Sequence, residues 1–143
     1  MTEITTVSER AYAQQLLGRL DGRRFPYAGQ WELTCRCNLQ CVMCYTDPFN
    51  TPGRIEEELR YEEIVRILDE LQEAGCLELC FTGGEPFARP DVLDIYAAAK
   101  RRGFRLTLFT NGTLITTRIA DYLAADPPAM LEISFHGLNA GSF

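Results

Sequence analysis

The stretch Cys35-Arg-Cys-Asn-Leu-Gln-Cys-Val-Met-Cys44 holds four of the six cysteines of a 143-residue chain that has a single histidine. Thiols packed this closely bind metal, exchange disulfides or form staples. A closed zinc site takes four tetrahedral ligands from cysteine and histidine. His136 is distant in sequence, so a local site would need all four cysteines, and the gap between Cys35 and Cys37 is shorter than zinc ribbons use. Cys41-Val-Met-Cys44 has the form of a thioredoxin-like redox motif, with Cys37 an unexplained neighbour. Taken alone, Cys37, Cys41 and Cys44 spell Cys-x3-Cys-x2-Cys. Three thiolates on a four-iron cluster leave one iron free to take a small molecule. Cys35, Cys76 and Cys80 then read as small buried hydrophobes, the usual fate of a free cysteine.

Composition narrows the setting. The length suits one domain, and a hydrophobic content of 46% is that of a globular protein. A net charge of −6 argues against a nucleic-acid partner, which needs a concentrated basic surface. The sequence has no apolar run long enough to span a membrane. Its first ten residues lack the basic and apolar regions of a signal peptide. A reducing compartment, the cytoplasm, is therefore expected, where clustered cysteines serve metal or redox chemistry more often than staples.

Elements must carry these thiols into place. Residues Ser8 to Leu20 read as an amphipathic helix, part of an N-terminal extension over 1–29 that precedes a core over 30–143. Trp31 to Cys35 alternates like a strand, and the cysteine loop runs to about Gly53 with Pro48 and Pro52 opposing regular structure. Tyr61 to Ala74 carries Ile64, Ile67, Leu68 and Leu71 at helical spacing, and Gly75 suits its end. Leu77 to Phe81 reads as a strand, Asp91 to Arg102 as a helix opened by Pro90, and Arg105 to Thr110 as a third strand. A helix capped by Thr116 or Thr117 and a strand over Met130 to Phe135 follow. This alternation predicts parallel strands with right-handed crossovers. Asn111-Gly112 alone would equally suit a hairpin turn.

Buried parallel strands usually read as continuous apolar runs. Here Glu32 and Thr34, then Glu78, Cys80 and Thr82, then Arg105, Thr107, Phe109 and Asn111, then Glu132, Ser134 and His136 fall on one face. An antiparallel sheet with one wet face would explain this. A curved parallel sheet whose concave side lines a polar chamber explains it too, with chemistry at the C-terminal strand ends, where Thr34, Thr82, Asn111 and Ser134 lie.

The triplet of cysteines is joined by Gly83-Gly-Glu-Pro86 after the second strand, Thr110-Asn-Gly112 after the third and Glu132-Ile-Ser134 in the fourth. In this combination the chain resembles the radical S-adenosylmethionine (radical SAM) enzymes over about residues 30 to 143, in the branch of cofactor-biosynthesis enzymes and peptide maturases. The resemblance implies an α/β fold, a partial (β/α) barrel with four parallel strands alternating with helices, and resolves Asn111-Gly112 as strand, loop and helix. It implies Cys37, Cys41 and Cys44 as ligands of a [4Fe–4S] cluster. Met43 would face the adenine of S-adenosylmethionine, or else merely fill the loop. Gly83, Gly84 and Glu85 would lie beside the methionine amino group, and Thr110, Asn111 and Ser134 would add cofactor contacts. His136 is a weak catalytic candidate beside the plainer reading of a polar loop residue.

The activity so implied is reductive cleavage of S-adenosylmethionine to a 5′-deoxyadenosyl radical that abstracts hydrogen from a small-molecule or peptide substrate. A one-electron reductant such as flavodoxin or ferredoxin would serve it. Family barrels have six strands where this sequence supplies four, so a truncated barrel is expected. The alternative is an inactive fragment acting as a zinc- or metal-binding interaction module.

Overall fold

The computed structural model describes residues 24–46 and 52–135, with positions 8, 10, 11, 14, 18 and 137 besides. Of the helix expected over Ser8 to Leu20, positions 10, 11, 14 and 18 are described and helical; the rest, apart from position 8, lies outside the described residues. Four strands form one parallel sheet: β1 (Ala28–Glu32), β2 (Glu78–Thr82), β3 (Arg105–Thr110) and β4 (Met130–Ile133), each beside the next. Between them run α1 (Pro52–Glu56), α2 (Tyr61–Glu73), α3 (Val92–Arg101) and α4 (Thr117–Ala125), with a single 3-10 turn at Pro86–Ala88.

Two expectations need correction. The first strand starts and ends three residues early, because its ladder pairs Ala28 with Glu78 and Glu32 with Thr82. Past Glu32 the chain leaves the ladder: Leu33 N–H still donates to Thr82 O at the end of β2, and the turn beyond takes over, with Gly84 and Glu85 N–H donating to Thr34 and Arg36 O. Pro52 does not oppose regular structure. It opens α1, where its missing N–H would have had no helical partner.

The helix ends follow local chemistry. Glu63 accepts the Arg60 N–H at 2.9 Å ahead of α2, and Thr116 Oγ1 accepts the Ile119 N–H at 3.4 Å to cap α4. Gly75, just past α2, has φ +88°, which a side chain would oppose. The Asn111-Gly112 turn leads from β3 towards α4, and β3 pairs parallel with β4, so no hairpin forms there.

Register puts Gln30, Cys80, Thr107 and Met130 in one row, flanked by Glu32 and Thr82, then Phe109 and Glu132. That face is the polar one. The other buries Leu79, Phe81, Leu106 and Leu108 against Ile64 and Leu68 of α2 and Ile95, Ala98 and Ala99 of α3. The polar face ends in a Glu78–Arg105 ion pair of 2.9 Å at the N-terminal strand ends, leaving the C-terminal ends to form the site. Lys100, in the last turn of α3, and Arg102, just past its end, pair with Asp126 and Asp69. Among the described residues no helix is long and apolar enough to cross a membrane.

Candidate functional site

A cavity of about 380 Å³ opens over the C-terminal strand ends. Cys37, Cys41, Met43 and Cys44 of the cysteine loop line one side, and Gly83 and Gly84 the turn after β2. Thr110 and Asn111 reach it from the end of β3, and Ser134 from just past β4. Nine residues singled out by sequence thus share one cavity. Glu85 does not line it, and His136 lies outside the described residues.

The two glycines are required by the protein itself. A Cβ on Gly83, whose φ is +142°, would stand 2.4 Å from Thr34 O. A Cβ on Gly84 would stand 2.4 Å from Arg36 O and 2.9 Å from Cys35 O. No real Cβ sits so close, so this turn lies directly on the backbone that launches the cysteine loop. The family resemblance also sets these glycines beside the cofactor, and both line the cavity. Their nearest neighbour is the loop that carries the thiols.

Glu85 is fully buried. Its Oε1 accepts the Thr110 hydroxyl at 2.7 Å and the Phe87 N–H at 3.1 Å, and its Oε2 accepts the Asn111 N–H at 2.7 Å. The side chain therefore joins the turn after β2 to the end of β3. Asn111 in turn reaches the cysteine loop, donating from Nδ2 to Asn38 Oδ1 at 3.0 Å and to Cys37 Sγ at 3.9 Å.

The donor set suits an iron–sulfur cluster. Cys37 Sγ also accepts the Leu39 N–H at 3.4 Å, and Cys44 Sγ lies 3.2 Å from Thr46 Oγ1. A donor such as the Leu39 N–H stabilises charge on a cysteine ligand's sulfur. Burial, then the nearby Glu85 charge, pushes the Cys37 thiol above its ordinary value despite the Leu39 N–H, and a bound metal would deprotonate it regardless. Among the described residues no three Cys, His, Asp or Glu side chains converge on a point where one ion would sit. A cuboidal cluster takes its thiolates on separate irons, around a volume rather than a point.

Two residues that sequence reasoning missed hold the start of the loop. Glu58 accepts from Thr34 Oγ1 at 2.5 Å and from Cys35 N and Sγ at 3.0 and 3.4 Å through one oxygen. Its other oxygen lies 3.2 Å from Arg36 Nε. Burial pushes this carboxyl up, but the hydrogen bonds from Thr34 and Cys35 and the Arg36 charge outweigh it and hold the value low. Arg89 is buried and donates to Leu33 O at 2.9 Å, to Leu59 O at 2.7 Å and to Asp91 at 2.7 and 3.1 Å. Glu58 closes the run Glu56-Glu57-Glu58, which reads as a solvated acidic patch. Nothing in the sequence separates the third glutamate from the others.

The remaining cysteines also need correction. Cys76 is buried as expected, but Cys35 and Cys80 are half-buried. Cys80 stands on the polar face, its thiol pushed up by burial and then by the Glu132 charge. Burial and then the Glu58 contact push the Cys35 thiol up likewise.

The sequence profile of the radical SAM superfamily matches residues 31–140. An AdoMet-dependent heme synthase of Methanosarcina barkeri is 40% identical over 110 residues, 77% of this chain and 31% of that protein. A PqqA peptide cyclase of Bradyrhizobium diazoefficiens is 36% identical over 116 residues, 81% of this chain and 30% of that protein. Streptococcus suis SuiB bound to S-adenosylmethionine matches with a TM-score of 0.67 at 19% identity, over 99% of this chain and 32% of that one. With the precursor peptide SuiA bound, SuiB matches at 0.68 with 19% identity, over 99% and 33%. The likeness to SuiB establishes the fold. The chain spans about a third of the length of the curated relatives it matches.

Proposed function

Because the chain belongs to the radical SAM superfamily, whose members use a [4Fe–4S] cluster and S-adenosylmethionine, we propose that its 380 Å³ cavity is where both are held. One observation carries the proposal. The three thiols, the Gly83-Gly84 turn and the ends of β3 and β4 meet in that single cavity. Once bound, the pair supplies reductive cleavage of S-adenosylmethionine to methionine and a 5′-deoxyadenosyl radical for hydrogen abstraction.

The protein's part is to bind, orient and exclude water. Cys37, Cys41 and Cys44 are the residues that would hold the cluster, three thiolates for four irons. Gly83 and Gly84 present backbone polar groups to the methionine end, while Thr110, Asn111 and Ser134 supply polar contacts from the strand ends. Met43 offers an apolar surface for the adenine. Glu85, behind the cavity, acts by fixing Asn111.

The substrate class is a peptide or a cofactor precursor, drawn from the named activities of the relatives. Residues 30–143 form the part of the catalytic core present here and 1–29 an extension. A one-electron reductant of flavodoxin or ferredoxin type feeds the cluster in a reducing cytoplasm.

The test is anaerobic reconstitution with iron and sulfide, followed by EPR of the reduced protein with and without S-adenosylmethionine. A four-iron signal that changes on adding the cofactor is expected, and replacing Cys37, Cys41 or Cys44 with Ala should abolish it. Stoichiometric zinc without a cluster would overturn the proposal in favour of a metal-binding module.

A further inference from the structure

The cysteine loop presents a problem of choice, because four thiols stand close enough in sequence to compete for four irons. If Cys35 joined Cys37, Cys41 and Cys44, the cluster would be closed and no iron would be left for a small molecule. Cys35 does not line the cavity. Its thiol points to Glu58, 3.4 Å away, and its N–H donates to the same carboxylate oxygen at 3.0 Å.

That carboxylate grips three consecutive residues: Thr34 through its hydroxyl, Cys35 through backbone and thiol, and Arg36 through its guanidinium. The Glu58 side chain is only 11% exposed. Its own segment is anchored next door, where Leu59 O accepts from the buried Arg89 at 2.7 Å. The same Arg89 also holds Leu33 O, so both sides of the grip rest on one side chain. From the opposite side, Gly84 and Glu85 N–H hold Thr34 O and Arg36 O at 2.8 and 2.7 Å. Residues 33 to 36 are thus fixed from two directions, and the loop becomes free to follow a cluster only beyond them.

We infer that Glu58 is a positioning residue that keeps Cys35 out of the iron coordination and so preserves the open fourth site. The inference rests on the cluster and cofactor reading above and extends it from which residues bind to what stops a fourth from binding. Without Glu58, Cys35 would lose its thiol acceptor and a backbone restraint together. Freed of both restraints, the Cys35 side chain would be able to turn towards the cavity and take the fourth iron, closing the cluster against S-adenosylmethionine.

The test uses EPR titrations with S-adenosylmethionine on the reconstituted, reduced chain. Five proteins are compared: wild type, C35A, E58A, E58Q and the double variant E58A/C35A. C35A should respond as wild type does, and so should E58Q, whose amide oxygen still accepts from Thr34 and Cys35. E58A should assemble a four-iron cluster whose response is weakened about ten- to a hundred-fold in apparent Kd, the usual scale for outer-shell partners of a metal site. Removing Cys35 as well should restore it, a rescue that a merely structural role for Glu58 would not give. Should E58A not fold by circular dichroism, E58D, one methylene short of the same contacts, carries the comparison. An E58A response equal to wild type, or a double variant as weak as E58A, overturns the inference while the cofactor reading stands. A wild-type cluster blind to S-adenosylmethionine overturns the cofactor reading itself.

Discussion

The Glu85 carboxylate accepts the backbone N–H of Asn111 at 2.7 Å, across 26 residues of sequence and with no exposure to solvent. Every partner of this carboxylate is a donor: the Asn111 and Phe87 N–H groups and the Thr110 hydroxyl. A glutamine must turn its NH2 towards one of the two backbone donors. Glu85→Gln should therefore lower stability by about 1–3 kcal/mol, the cost of leaving a buried donor unpaired. Urea denaturation measures it, and an unchanged midpoint would show that the contact has no energetic weight.

Gly84→Ala is the sharpest steric test of the loop-on-loop contact. The added Cβ would meet Arg36 O at 2.4 Å, and carbonyl backbone cannot swing aside as a flexible side chain can. A loss of about 3 kcal/mol is expected, at the upper end of ordinary overpacking. The reconstituted cluster content should fall with it, because what must move is the start of the cysteine loop. A variant that melts like wild type would mean that the turn and the loop are not in contact.

Arg89→Lys should cost about 2 kcal/mol although the charge is kept. The guanidinium serves Leu33 O, Leu59 O and Asp91 in three directions, whereas an ammonium is a compact point charge without that planar fork. Two backbone carbonyls would be left poorly paired. Thermal unfolding of Arg89→Lys beside Arg89→Met separates the lost geometry from the lost charge.

Acid should loosen the base of the cysteine loop. Glu58 is held below its ordinary value of 4.5, so its share of stability is full above that pH and is lost as pH falls through the lower folded-state value. Wild-type stability should drop more steeply than that of E58Q between about pH 5 and pH 3. Parallel curves for the two proteins would show that Glu58 contributes nothing pH-dependent to folding.

Most of the architecture could be read from the sequence because it rests on periodicity. Ile64 and Leu68 lie on the face of α2 that the i, i+3, i+4 pattern selects, and the alternation in β2 and β3 assigns each residue to the face where it is found. Sequence alone sets β1 three residues late because its polar and apolar alternation continues past the last laddered pair. Leu33 still bonds to the last residue of β2, but Thr34 and Arg36 bond to the turn beyond it instead of to a strand. Nine of the cavity residues follow from the family resemblance that the motifs carry. Finding Glu58 and Arg89 needed the fold, since both act on backbone atoms more than twenty residues away and backbone atoms leave no signature in a sequence.

Strand order in this sheet follows chain order, each strand lying beside the one made just before it. A ribosome emitting the chain thus releases a sheet that can lengthen by one strand at a time, each newcomer finding its template already in place. The thiols emerge early in this schedule. The glycine turn that braces their loop follows some forty residues later, and the Asn111 contact to Cys37 later again. For that interval the nascent chain presents its sulfurs with no cavity around them, since the last of the lining, Glu132 and Ser134, is made only with β4.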